Sequence, residues 1–84
     1  MPRKPIHPGE FLADELDELG MGAAELAWII DVPANRISRI IAGKRNFAAD
    51  TALRLGQCFG TGPRLWLNLQ QSFELDLATQ TITP

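Results

Sequence analysis

Groups able to do acid–base or nucleophilic chemistry are few and scattered: one histidine, His7, one cysteine, Cys58, and no tyrosine in 84 residues. Neither Ser38 nor Ser72 has an imidazole near it in sequence, and the carboxylates show no spacing suited to a metal or to a paired acid and base. One thiol and one imidazole cannot make a structural zinc site. The expectation is a protein that is not an enzyme and holds no metal and no cofactor. What the chain does concentrate is positive charge. Residues 31–64 carry Arg36, Arg39, Lys44, Arg45, Arg54 and Arg64 against Asp31 and Asp50, a surplus of four cations. Residues 1–30 are the reverse, with six carboxylates against Arg3 and Lys4. Since the whole chain carries a net charge of −2, the mid-chain cations are either a local anion-binding surface or a solvated arginine-rich face.

The elements that must hold those cations are bounded by length. At 84 residues, with 45% apolar and 21% charged side chains, the chain is expected to form a single domain over 1–84 with a thin core, to which a partner or a second copy would add burial. A lone cysteine excludes an internal disulfide framework, and no apolar run approaches the roughly twenty residues of a membrane span. Met1-Pro2-Arg3-Lys4-Pro5 leads into no apolar leader stretch. A cytoplasmic location without membrane contact is expected.

Apolar residues recur at three- and four-residue intervals, punctuated by turn residues, and predict an all-α fold of five short helices. Pro8 suits the first turn of helix one (8–19), whose stripe is Phe11, Leu12, Leu16 and Leu19 before Gly20. Helix two (23–30) carries Leu26, Ile29 and Ile30 and is broken at Asp31-Val32-Pro33; helix three (34–42) carries Ile37, Ile40 and Ile41 and stops at Gly43. Helix four (49–59) faces inward through Ala52, Leu55 and Phe59, with Cys58 expected as a small buried hydrophobe. Helix five (about 62–73), with Thr61 as its cap and Pro63 in its first turn, buries Trp66, Leu69 and Phe73. The threonine-rich tail 74–84 is expected to be an extended strand or a frayed end.

Helices two and three have the offsets of a helix-turn-helix over about 23–42. Leu26, Ile30, Val32, Ile37 and Ile40 face inward, Ala27 is small where the second helix approaches, and Asp31 takes the turn position that needs a left-handed backbone.

The strings Leu19-Gly20-Met21-Gly22-Ala23-Ala24-Glu25-Leu26-Ala27, Val32-Pro33-Ala34-Asn35-Arg36-Ile37 and Gly43-Lys44-Arg45 resemble the lambda-repressor-like, Xre-type DNA-binding domains. His7-Pro8-Gly9-Glu10, Ala49-Asp50-Thr51-Ala52-Leu53-Arg54-Leu55 and Phe59-Gly60-Thr61-Gly62-Pro63-Arg64-Leu65-Trp66-Leu67-Asn68-Leu69-Gln70 narrow the resemblance to the HigA antitoxins, over roughly residues 7–73. That resemblance implies a compact five-helix fold and a homodimer on double-stranded operator DNA upstream of its own operon. It also implies neutralisation of a HigB-type ribonuclease toxin. A stand-alone Xre-type transcriptional repressor without a toxin, and an interaction module whose helix-turn-helix is only structural, are the alternatives.

A recognition helix enters the major groove with its first turn and one face, which selects Ala34, Asn35, Ser38 and Arg39 to reach base edges. Asn pairs bidentately with adenine and Arg with guanine, so Asn35 and Arg39 are the expected specificity residues. Asn35 could instead cap helix three, and Arg39 could instead be a phosphate contact or a surface charge. Arg36, Lys44 and Arg45 are assigned to phosphates, with an ordinary solvated loop as the alternative for the last two. Arg54 is expected to pair within the chain or lie on the surface. Gly22-Ala23 replaces a helix-two cap and a phosphate hydrogen bond common in relatives, and Ala48 a helix-four cap; the lost phosphate contact and the low net charge together predict weak DNA binding by one subunit, strengthened in a dimer. Trp66 is expected in the core or a dimer contact, while Trp28 stands at a usually polar position and is a candidate partner contact. The acidic helix one fits either a basic toxin or a solvated face.

Overall fold

Local signals at the chain's breaks set where each helix begins and ends. The computed structural model describes residues 4–82, and among them there are five helices, α1 (Pro8–Leu19), α2 (Ala23–Ile29), α3 (Ala34–Ile41), α4 (Ala49–Phe59) and α5 (Arg64–Ile82), and no strand. His7 caps α1: its Nδ1 accepts the Gly9 amide at 2.9 Å, satisfying one of the donors that a helix start leaves open. At the other end, α1, α2 and α3 stop in one common way, with a left-handed residue at Gly20 (φ 63°), Asp31 (φ 61°) and Gly43 (φ 76°). In each case the amide after the left-handed residue reaches back across the last turn: Met21 to Leu16, Val32 to Ala27 and Lys44 to Arg39, at 2.9–3.0 Å.

The core is one continuous cluster built from Leu12 and Leu16 of α1, Leu26 and Ala27 of α2, Ile37 and Ile40 of α3, Ala52 and Leu55 of α4, and Trp66 of α5. Ile30 and Phe47 join it from the connections. Trp66, 1% exposed, has Phe11, Phe47 and Phe59 around it at ring-centroid distances of 5.6–5.7 Å, tying three other segments to the indole of α5. Two glycines permit backbone-on-backbone packing. A Cβ on Gly9 would overlap the Ile40 carbonyl, and one on Gly56 would overlap the Gly62 carbonyl. The first contact seats the start of α1 directly on the end of α3.

Several sequence expectations change. The tail 74–84, expected as a strand or frayed end after a helix of 62–73, continues α5 as helix to Ile82; its last two residues lie outside the described ones. No Gly or Pro interrupts residues 64–82, and the threonine hydroxyls are absorbed within the helix: Thr79 donates to the Leu75 carbonyl and Thr81 to that of Leu77, both at 2.9 Å. Thr61 does not cap α5, since its hydroxyl donates to the Gly62 carbonyl instead. Cys58 is exposed rather than buried, because the inward face of α4 is centred on Leu55 and Phe59 and Cys58 lies about a quarter turn away. Leu19 and Ile29 are likewise exposed, at the rims of their helices.

Gly9→Ala is expected to destabilise the fold by about 1–3 kcal/mol through forced separation of α1 from α3, read as a lower urea midpoint at unchanged slope.

Candidate nucleic-acid interface

The α2–turn–α3 unit is held from two sides. Within the turn, Asp31 adopts the left-handed backbone that the sequence requires there, and its amide bonds to the Trp28 carbonyl at 3.3 Å. This non-glycine position carries strain on the order of 1 kcal/mol. From α4, the Arg54 guanidinium donates to the Ile30 carbonyl at 2.9 Å, occupying an acceptor that the end of α2 leaves open. Arg54 therefore pairs within the chain, with a backbone carbonyl rather than a carboxylate.

α3 buries Ile37 and Ile40, and so turns Ala34, Asn35, Ser38 and Arg39 outward, all four exposed along one stripe. The helix starts from Pro33, whose carbonyl accepts the Arg36 amide, and no side chain caps it. The Asn35 carboxamide is thus not used as a local cap. The Ser38 hydroxyl donates to the Asn35 carbonyl at 3.1 Å, which anchors it to the backbone on the outer face. Lys44 and Arg45 follow at the C-terminal end of α3, both exposed, in a connection that closes when the Phe47 amide bonds to the Gln70 side chain at 3.1 Å.

Arg36 stands apart from that stripe. Its guanidinium lies 3.2 Å from the Asp50 carboxylate on α4, with the arginine side chain only 20% exposed and its buried Nε without a partner among the described residues. The pair ties α3 to the start of α4 through one nitrogen of the guanidinium. Sequence reasoning did not anticipate three of these supports: the Arg54 carbonyl contact, the Asp50 pairing and the Gln70 contact. A usable signal existed for Gln70, a polar residue four positions after Trp66 and beside Leu69 on the inward side of α5.

The same architecture and much of the same sequence occur in an addiction-module antidote protein of the HigA family from Coxiella burnetii. It superposes with a TM-score of 0.92 at 48% identity, over 94% of this chain and 87% of that one. The chain belongs to the HigA family. Antitoxin HigA of Pseudomonas aeruginosa, solved with its higBA promoter, matches with a TM-score of 0.89 at 40% identity, covering 93% of this chain and 86% of that one. Virulence-associated protein I of Dichelobacter nodosus is 43% identical over 76 residues, 89% of this chain and 70% of its own length. No protein-family profile matches.

Within this HigA-family chain the helix starts near the outer stripe are weakly capped: Gly22 and Ala48 stand at the starts of α2 and α4 and offer no side-chain hydrogen bond. The Arg54 and Arg36 contacts with α4 add to the buried Leu26, Ala27, Ile37 and Ile40 in holding the unit. No helix among the described residues is long and apolar enough to cross a membrane. Arg54→Met, which keeps the aliphatic stem but removes the donor to Ile30, is expected to cost about 1–2 kcal/mol; chemical unfolding monitored by circular dichroism measures it.

Proposed function

We propose that this chain is a HigA antitoxin of the cytoplasm that acts as a single domain. As a homodimer it binds double-stranded operator DNA, represses its own operon and neutralises a HigB-type ribonuclease toxin. The observation that carries the reading is the exposed α3 stripe of Ala34, Asn35, Ser38 and Arg39, flanked by Lys44 and Arg45, on a fold matching an antitoxin solved with its promoter. Such a stripe fits the major groove, and two copies related by a dyad would place their α3 helices about one helical turn, roughly 34 Å, apart.

In this reading Ala34, Asn35, Ser38 and Arg39 reach base edges, with Asn35 and Arg39 setting specificity, and Lys44 and Arg45 bind phosphates. Arg36 is the third phosphate ligand, beside its pairing with Asp50. The role is recognition rather than catalysis, with no cofactor or metal taking part. Few phosphate ligands per subunit make affinity depend on the dimer.

Asn35→Ala and Arg39→Ala are each expected to weaken operator binding by about 1–3 kcal/mol while relaxing selection at one base pair. Lys44→Ala is expected to leave selection intact and make the log–log salt slope shallower by about one. Electrophoretic and anisotropy titrations check both, and unchanged operator binding by the two alanine variants of α3 would remove the assigned face. For the toxin, co-expression with the product of the neighbouring small reading frame is expected to restore growth and yield a co-purifying complex. A harmless, non-binding neighbour would leave a stand-alone repressor of the same family.

A further inference from the structure

We infer that Gln70 of α5 is a positioning residue for phosphate contact, holding the Lys44–Arg45 connection in one conformation from 23 residues away in sequence. The inference rests on the DNA-binding reading above and adds to it a residue outside the helix-turn-helix.

The connection is fixed at both ends by backbone bonds. At its start, Gly43 and Lys44 close α3, the Gly43 amide bonding to Ile40 at 3.0 Å and the Lys44 amide to Arg39 at 2.9 Å. At its end, the Phe47 amide donates to the Gln70 Oε1 at 3.1 Å. Only Arg45 and Asn46 lie between the two anchored amides, so the two cationic side chains leave from a backbone with little freedom. Phe47 is also held by its ring, which is buried against Trp66 at 5.6 Å.

The Gln70 carboxamide can serve in one orientation only. It is 6% exposed, and its Nε2 donates to the Glu74 carboxylate at 3.2 Å while its Oε1 accepts from Phe47. Turned over, it would set an NH2 against the Phe47 amide and an oxygen against the Glu74 carboxylate, two repulsive contacts in place of two attractive ones. A Leu or Met would fill the same volume and need no partner, but would leave the Phe47 amide buried without an acceptor. A connection ordered before DNA arrives loses less freedom on binding, and its cations meet the phosphates in register.

The test measures binding to a mixed-sequence duplex of about two helical turns by fluorescence anisotropy, since phosphate contacts do not depend on base sequence. Salt is varied between about 50 and 200 mM. Gln70→Met is expected to make the log–log salt slope shallower by about one to two, at roughly 0.9 for each phosphate no longer neutralised. The charge-neutral exchange Gln70→Glu/Glu74→Gln, which keeps an acceptor for Phe47 and a bond between the two side chains, is expected to restore it. In a Lys44→Ala/Arg45→Ala background, Gln70→Met is expected to change the slope no further. Thermal melts establish that each variant is folded at the assay temperature; should Gln70→Met not be, Gln70→Asn, one methylene too short for Phe47, takes its place. An unchanged slope in the folded variant overturns the inference, as does an equal effect without Lys44 and Arg45, or failure of the exchange to restore the slope. Absence of binding by the unaltered chain to the operator duplex as well as to the mixed-sequence one overturns the DNA reading itself, a result separate from any of these.

Discussion

The indole of Trp66 is the common wall on which the chain assembles. Rings from α1, from the α3–α4 connection and from α4 close on it, so one side chain on the last helix sets the distance between elements that sequence separates by more than fifty residues. Its Nε1 finds no partner among the described residues. A buried donor left unpaired costs free energy, and the ring's large apolar contact has to outweigh that cost. α3 depends on this arrangement indirectly: Phe47 packs on Trp66 at one end of the basic connection, and α1, which brings Phe11 to the indole, seats Gly9 on the carbonyl of Ile40.

Electrostatics then divides the cations by task. Arg36 and Arg54 are engaged within the chain, with Asp50 and with the end of α2, and they tie the helix-turn-helix to α4. Arg39, Lys44 and Arg45 are exposed to solvent. A chain with a net charge of −2 can thus present a local cationic edge without a basic composition. The exposed acidic residues of α1, among them Asp14, Asp17 and Glu18, stand on a separate helix, so charge of the two signs is sorted by element.

Much of this was legible in the sequence because local rules act locally. Pro8, Gly20, Gly43 and Gly60 marked helix ends, the inward positions of α2 and α3 followed from their offsets, and Asp31 could be assigned a left-handed backbone because aspartate tolerates one. The outward stripe of α3 followed from the same periodicity. What escaped were polar contacts between distant segments. Arg54 with Ile30 and Gln70 with Phe47 span 24 and 23 residues and leave no periodic trace. The second half of α5 escaped for another reason: threonines favour strands by propensity, and in the helix their hydroxyls bond to carbonyls four residues back.

The two tryptophans divide the molecule's optical behaviour between them. Trp66 is 1% exposed and Trp28 is 84% exposed, and tyrosine is absent, so all emission excited at the red edge comes from one dry indole and one wet one. The first senses whether the core is closed. The second, on the outer side of α2, is open to aqueous quenchers and to any surface that settles over it. A single unlabelled sample therefore carries separate spectroscopic channels for folding and for association.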